Sequence, residues 1–263
     1  MTSLERLLTY YNQAQPDSMQ AAIVRNILIH LKNVGEMTIF DLADACYTSP
    51  ASISRLVRKM GYKNFSYFQK DLVDCMGKYD MHNRLVNLDR KPDQIPVTEY
   101  YLDTFENLFH QLRENIDADQ IRRLTEMMHA SEKIGIYAYS AFMSELFLQS
   151  DLFATGRICD VYAQEKDILE HIKVLTERDM VILVAPNAIE GIQADKIVTL
   201  VQRRGAKICL LSDSKRIPGF RKADLGIAVP GVLQGIDMHI MQIYLSLVAL
   251  EYRRRYLDEE GYK

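Results

Sequence analysis

The segment TIFDLADACYTSPASISRLVRKMGYKNF, residues 38–65, decides how the first part of this 263-residue chain folds. A helix is predicted to begin after Thr38, because Asp41 follows three residues later in the spacing of a capping box. This helix continues to about Cys46, and only three residues, Tyr47 to Ser49, separate it from a second helical pattern. Two short helices joined by a three-residue turn predict a helix-turn-helix.

The second helix of this segment has one apolar and one cationic side. It is predicted to begin after Ser49, with Pro50 at the first helical position, where the missing N–H costs nothing. It ends at Gly61. Its apolar residues follow the i, i+3, i+4, i+7 spacing of a buried stripe. They are Ile53, Leu56, Val57 and Met60.

The polar side of this helix predicts contact with DNA. No acid occurs from Pro50 to Lys70, although the whole chain has a formal net charge of −3, and a merely solvated surface usually mixes signs. Arginine can pair with guanine, serine can bond to bases or phosphates, and lysine mainly meets phosphate. The candidate DNA-binding residues are Thr48, Ser49, Ser52, Ser54, Arg55, Arg58, Lys59, Lys63 and Asn64. The alternative is an ordinary helix pair with a solvated basic face.

Charge and periodicity divide the chain into two parts. Residues 1–78 carry nine cations and seven anions, net +2, whereas the remaining 185 residues carry 23 cations and 28 anions, net −5. Residues 78–97, with two prolines and weak periodicity, are typical of a linker or of a loosely packed helix end. We therefore predict a helix-turn-helix DNA-binding domain at 1–77, a linker at 78–97 and a second domain at 98–263.

The second part alternates between short apolar runs and helical patterns. Helices are predicted at 98–116 and 118–130, and the runs KIGIYAYS, RICDVY, MVILVAP, AKICLLS and DLGIAV are typical of strands. Such alternation predicts a mainly parallel sheet covered by helices on both faces. A last helix at about 236–256 has an apolar face broad enough for a subunit interface, with core packing as the equal alternative. The fold class is therefore an all-helical domain followed by an α/β domain, an αβα sandwich.

Composition excludes several classes of protein. No run of about 18 apolar residues occurs, and the N-terminus lacks the apolar core of a signal peptide, so we expect a cytoplasmic protein without a membrane span. The four cysteines and six histidines are scattered, without the clustered spacing that metal ligands need. We expect no metal site and no cofactor.

The helix-turn-helix segment resembles the N-terminal domain of RpiR-type bacterial transcriptional regulators. The residues that carry the resemblance are Ile39, Leu42 and Ala43, Ser49, the run Ser52–Arg55, and Gly61 to Phe65. The chain departs from that pattern at Tyr47, where the family usually has glycine. The resemblance implies a sugar isomerase (SIS) domain in the second part, an αβα sandwich that commonly binds a phosphosugar.

The residues that hold phosphate in SIS domains are largely replaced here. A Gly-x-Gly-x-Ser stretch after the first strand corresponds to IYAYS, which keeps only Ser140, or in another register places Tyr139 at the serine. A Ser-x-Ser-Gly-x-Thr stretch corresponds to APNAIE, with Asn187 at a serine and Glu190 at the threonine. A carboxylate about 4 Å from a phosphate repels it by about 1 kcal/mol in a water-like dielectric, and more when buried.

Three interpretations of the second part stay open. It has lost its ligand and serves for dimerisation; it binds a different effector, uncharged or cationic; or it still binds a sugar phosphate through other residues. The candidate effector residues are Tyr139, Ser140, Asn187 and Glu190.

The preferred function is a DNA-binding transcriptional regulator of carbohydrate-related genes, without catalytic residues. It is expected to be a homodimer or homotetramer on a pseudo-palindromic operator in double-stranded DNA. One rival is a sugar-phosphate isomerase with His171, Glu165 or Glu170 as general base. Another is an interaction protein whose basic helix meets a protein.

Overall fold

The computed structural model describes residues 3–15, 18–78, 83, 85–138, 143–186 and 193–257. By its internal contacts the chain divides into two compact units, Met1–Met81 and His82–Lys263.

The first unit is helical throughout its described residues. Its apolar helix faces meet in one core that includes Ile27, Leu42, Ile53, Leu56 and Phe68, each at most 2% exposed. The helices are α1 (Ser3–Gln13), α2 (Met19–Ile29), α3 (Ile39–Ala45), α4 (Pro50–Lys59) and α5 (Phe65–Lys78).

The second unit is a three-layer αβα sandwich around a parallel sheet. Among the described residues, five strands pair in the order β2-β1-β3-β4-β5, and every pairing is parallel. The strands are β1 (Lys133–Tyr137), β2 (Ile158–Tyr162), β3 (Asp179–Val184), β4 (Lys207–Ser212) and β5 (Leu225–Ala228). The helices are α6 (Val97–Asn115), α7 (Ala118–Ala130), α8 (Met143–Ala154), α9 (Glu165–Val174), α10 (Ala194–Arg203) and α11 (Asp237–Tyr256).

The two faces of the sheet have separate cores. Alternate strand residues such as Ile136 and Ile182 pack with α6, α7, α8 and α11, whereas Val181 and Leu183 pack with α9 and α10. All six residues of β3 are buried, which explains why the strand is an unbroken apolar run after its first residue, Asp179. The predicted fold class is confirmed.

The strand order reverses between β1 and β3. Strand β2 lies on one side of β1, while β3, β4 and β5 extend on the other. In open α/β sheets, ligands bind outside the carboxyl ends of the strands at such a switch point. Strands β1 and β3 end on either side of this position.

The last helix packs into the core. Ile240, Tyr244, Val248 and Tyr252 of α11 are at most 3% exposed within the second unit itself. The sequence left a subunit interface and core packing as alternatives for the apolar face of α11. These four residues pack into the core.

Part of the predicted linker is packed structure. Val86 is 4% exposed in the core of the second unit, and the carbonyl of Leu85 accepts a hydrogen bond from the N–H of Ile236 at 3.0 Å. Residues 85–96, the continuous described part of this range, form a short irregular segment whose Val86 packs into the core of the second unit, so this part is not a free connection. The outer limits of the two domains stay a prediction.

Within the described ranges, no helix combines the length and apolar character needed to cross a membrane. In the same part of the chain, no three His, Cys, Asp or Glu side chains are grouped as metal ligands.

Candidate nucleic-acid interface

Helix α3 begins with a complete capping box. The Asp41 N–H donates to Thr38 Oγ1 at 3.2 Å, and the Thr38 N–H donates to Asp41 Oδ2 at 2.8 Å. Hydrogen bonds from the Thr38 hydroxyl and backbone hold the pKa of Asp41 below its usual value. This reciprocal cap lets a helix of seven residues begin at a defined position.

The turn between α3 and α4 is a Schellman motif with tyrosine at its left-handed position. The N–H of Thr48 bonds to the Ala43 carbonyl at 2.9 Å, and the N–H of Tyr47 bonds to the Asp44 carbonyl at 3.0 Å. Tyr47 has φ of 51°, in the region that glycine usually occupies at this position, and its side chain is 94% exposed. This is the position at which the sequence departs from the RpiR-type pattern.

Helix α4 begins at the cap that the sequence predicted. Ser49 Oγ accepts the Ser52 N–H at 3.2 Å and lies 3.0 Å from Ser52 Oγ, and Pro50 is the first helical residue. The helix ends in a second Schellman motif, in which Gly61 has φ of 93° and the Tyr62 N–H bonds to the Val57 carbonyl at 3.1 Å. Both ends of α4 are therefore fixed by local hydrogen bonds.

The outward face of α4 is a row of Ala51, Arg55 and Arg58. These residues follow the i, i+4, i+7 spacing opposite the buried stripe, and all three are exposed. Arg55 Nη2 donates to Ser52 Oγ at 3.2 Å, which directs the guanidinium towards the start of the helix. Within the described residues, neither arginine forms an ion pair.

The other predicted basic residues lie at the borders of this face. Lys59 Nζ donates to Gln20 Oε1 of α2 at 3.0 Å and lies 5.3 Å from the ring centre of Tyr10 of α1. Lys63 lies beyond the helix, with Nζ 5.7 Å from the ring centre of Tyr67. Both ammonium groups therefore make cation–π contacts with tyrosine rings, while the lysine side chains stay exposed.

Asn64 has a structural role in addition to the predicted one. Its Oδ1 accepts the N–H of Tyr67 at 3.0 Å at the start of α5, and its amide NH₂ can donate to another partner. Thr48, Ser52 and Ser54 are half-buried, and Ser49 is exposed. The structure brings all nine predicted residues to the α4 surface and the two ends of that helix.

Two neighbouring residues were not predicted as contacts. Ala51 lies in the row with Arg55 and Arg58, and Tyr47 projects from the turn. Counting back four residues from Arg55 identifies Ala51, but a small apolar residue gives no charge signal.

The four predicted effector residues, Tyr139, Ser140, Asn187 and Glu190, lie outside the described residues. The neighbouring carboxyl edge of the sheet contains two buried acids, Asp213 just after β4 and Asp237 at the start of α11. A Cβ added to Gly231 would lie 2.6 Å from Asp213 Cβ and 2.7 Å from Asp237 Oδ2, so the two acids flank one glycine.

The residues considered as an isomerase base are engaged in packing and pairing. His171 is half-buried, with Nδ1 2.9 Å from the Tyr137 hydroxyl and its ring stacked on Tyr162. Burial lowers the pKa of this histidine, against the opposing effect of nearby acids. Glu165 lies 3.6 Å from Lys196 and Glu170 lies 2.6 Å from Lys173.

No protein-family model and no curated protein matches this sequence. Solved structures do match. The chain is similar to the NanR protein of Vibrio vulnificus, solved in complex with ManNAc-6P, with 17% identity and a TM-score of 0.52 over 98% of this chain and 94% of that chain. That likeness spans both units and supports a shared fold.

Two further similarities concern the second unit alone. The sugar isomerase domain of an RpiR transcription factor from Sphaerobacter thermophilus is 18% identical, with a TM-score of 0.47 over 60% of this chain and 91% of that chain. A hypothetical protein from Methanococcus jannaschii, for which a 3-hexulose-6-phosphate isomerase function was inferred, is 16% identical, with a TM-score of 0.45 over 59% and 90%.

Proposed function

We propose that this protein is a transcriptional regulator that binds double-stranded DNA through α4. The observation that carries the proposal is the outward row of Ala51, Arg55 and Arg58, which has no acid near it in sequence and no ion pair within the described residues. A solvated helix of an acidic chain would mix its charges. A row of this kind fits the negative edge of a DNA major groove.

The roles of individual residues follow from their positions on α4. Ala51 and Arg55 belong to the first turns, which reach base edges in a helix-turn-helix, so Arg55 is assigned to a guanine and Ala51 to a thymine methyl group. Arg58 and Lys63 lie farther along the chain and are assigned to phosphates. The hydroxyls of Thr48 and Ser49, with the Asn64 NH₂, complete the contacts to the sugar-phosphate backbone.

The second unit is assigned to assembly and sensing. Two copies of the chain would present two recognition helices to a pseudo-palindromic operator. An effector would bind at the carboxyl edge between β1 and β3, since the candidate residues Tyr139, Ser140, Asn187 and Glu190 follow these two strands in the sequence. Buried Asp213 and Asp237 near this edge disfavour a phosphate, so an uncharged or cationic sugar derivative fits this edge better than a sugar phosphate.

We propose no catalytic role for the second unit. His171 lies over the middle of β1, because a Cβ added to Gly135 would meet its ring at 2.8 Å, and its Nδ1 faces Tyr137. A general base must reach the substrate at the ligand edge, and the carboxylates of Glu165 and Glu170 face lysines instead.

Selection of bound sequences from a random duplex library tests the DNA-binding proposal. A regulator of this kind should enrich an inverted repeat, with an affinity that falls steeply as salt increases. Recovery of no common sequence, together with binding that is independent of salt, would contradict the proposal and favour a protein partner.

A thermal-shift screen against neutral sugars, amino sugars and sugar phosphates tests the effector edge. A ligand present at 100 times its Kd adds about 2.7 kcal/mol, which shifts Tm by several degrees at roughly 2–4 °C per kcal/mol. A shift with a neutral or amino sugar supports the proposed preference. A shift with a sugar phosphate alone would overturn it, and a flat response would leave assembly as the only role of the unit.

A further inference from the structure

Helix α8 has its polarity reversed relative to an ordinary surface helix. Its only charged residues, Glu145 and Asp151, are at most 4% exposed and face the interior of the unit. Leu146, Phe147 and Phe153 point outward and are 48%, 53% and 52% exposed.

The buried charges have partners inside the unit. Asp151 Oδ2 accepts from Arg253 Nε of α11 at 3.2 Å, and Glu145 Oε2 lies 3.3 Å from Ser144 Oγ. The orientation of α8 is therefore fixed by these contacts and by its buried Leu148 and Leu152. Rotation of the helix to bury the phenylalanines would expose this inner face.

The outward face of α8 is an uncharged apolar surface. Leu146, Ser150 and Phe153 follow one helical stripe with Phe147 beside it, and none of the four side chains is charged. The outward face of an ordinary surface helix is polar, and an exposed apolar patch is typical of an interaction site. Ile158, the first residue of the edge strand β2, is 45% exposed just beyond the end of this helix.

The area of this surface fits the centre of a subunit interface. A phenylalanine can bury about 150–250 Å², so the half-exposed Leu146, Phe147 and Phe153 together offer roughly 300 Å². A standard interface buries about 800 Å² on each partner, with an apolar core and a polar rim. The α8 surface therefore supplies a core of the expected kind.

We propose that the outward face of α8 is the surface through which two copies of this chain form a dimer. We assign a second copy of the chain as the partner of this face. The whole chain has a net charge of −3, but the face itself is uncharged, so two such faces can meet without electrostatic repulsion. In a two-fold dimer the same patch serves both subunits, so a self-complementary stripe is sufficient. This inference deepens the proposed regulator function, which needs paired recognition helices.

The test is sedimentation velocity of the full chain without DNA, over about 1–100 μM. The wild type should be a dimer, and Phe147→Glu or Phe153→Glu should raise the dimer dissociation constant by at least about 30-fold, as loss of a central contact does. Phe109→Glu, at a 43% exposed phenylalanine of α6, is the matched control and should leave the dimer intact. Circular dichroism verifies that each variant is folded.

The outcomes separate this inference from the proposed function. A monomeric wild type, or a dimer that only Phe109→Glu dissociates, would overturn the α8 interface. A dimer that depends on α8 but does not bind DNA would retain the interface and reject the regulator. A monomer that binds DNA with steep salt dependence would reject the α8 interface and retain the regulator.

Discussion

Tyr47 occupies a backbone conformation that a side chain makes unfavourable. A residue other than glycine in the left-handed region costs about 1–2 kcal/mol, and the 94% exposed ring of Tyr47 has few contacts with which to recover it. Glycine loses more backbone entropy on folding, roughly 0.5–1 kcal/mol relative to alanine. We expect Tyr47→Gly to raise the free energy of unfolding of the first unit by up to about 1 kcal/mol, measured by urea denaturation.

The control for this change is Tyr47→Ala. Alanine removes the ring but keeps the Cβ, so it should give little or no stabilisation. A lower free energy of unfolding for the glycine variant would mean that the tyrosine ring, and not the backbone, governs the stability of the turn.

Arg55 is the residue assigned to base recognition. Its side chain is exposed in the outward row, and its bond to Ser52 Oγ orients the guanidinium. Arg55→Ala should weaken operator binding by about 1–3 kcal/mol and relax the preference at one base position. Quantitative binding to the selected duplex and to its single-base variants measures both effects.

Arg25→Ala is the matched control for Arg55→Ala. Arg25 is an exposed cation of α2 in the same unit, so its removal changes the net charge equally without touching α4. Equal losses for the two variants, with no change in base preference, would show that Arg55 acts only through charge.

At the start of α11, the Asp237 carboxylate holds the preceding loop. It accepts N–H bonds from Val232 at 2.9 Å, Leu233 at 2.7 Å and Gln234 at 3.2 Å. Burial raises the pKa of Asp237 to about 6, the Val232 and Gln234 N–H groups oppose that rise, and the neighbouring Asp213 adds to it. This carboxyl group therefore holds its proton more tightly in the folded protein than in the unfolded chain, where aspartate has a pKa of about 3.9.

That difference predicts a pH dependence of stability. Between about pH 4 and pH 6 the folded state binds more protons at Asp237 than the unfolded state, so its contribution is present below pH 4 and is lost as the pH rises to 6. The free energy of unfolding of the wild type should fall over this range relative to that of Asp237→Asn. Asp213→Asn should reduce the effect, and a constant difference from pH 4 to pH 7 would refute the assignment.

Helix boundaries were well predicted where a cap and a buried stripe coincide. Helix α7 spans Ala118–Ala130 as predicted, because Asp117 caps its first N–H groups while Ile121, Leu124 and Met128 are buried on one side. The apolar runs of the strands were equally clear. The side on which α8 packs was not predictable, because its Leu and Phe residues occur all around the helix. The tertiary contacts of Asp151 and the packing of Leu148 and Leu152 decide which face is inside.

At the level of the whole molecule, the features that the sequence did not predict depend on contacts between residues far apart in the chain. Leu85 and Val86 lie in a segment with weak periodicity, yet they pack into the second unit beside residues about 150 positions later, such as Ile236. The nine candidate DNA-binding residues could be proposed together because they cluster in 17 consecutive positions, Thr48 to Asn64, and they stay a prediction. The predicted effector residues come from two separate stretches of the sequence, and the sequence alone does not show that β1 and β3 are neighbours.

The charge distribution over the two units makes salt the decisive variable for DNA binding. Residues 1–78 carry net +2 and the rest of the chain carries net −5, so we expect the α4 region to attract DNA and the remainder to repel it. Each phosphate contact contributes about −0.9 to the slope of log K against log salt. With Arg58 and Lys63 on phosphates in both subunits of a dimer, we expect a slope of about −3.6 or steeper.

Lys63→Ala should reduce the magnitude of that slope by about 1 for each subunit, hence about 2 for a dimer, while base preference stays unchanged. Lys32→Ala, which removes an exposed cation of the same unit away from α4, should leave the slope as it is. Titration of a fluorescent duplex between about 50 and 300 mM salt measures both variants. A slope near zero in the wild type would mean that the basic helix meets something other than phosphate, and equal slopes for Lys63→Ala and the wild type would place Lys63 outside the interface.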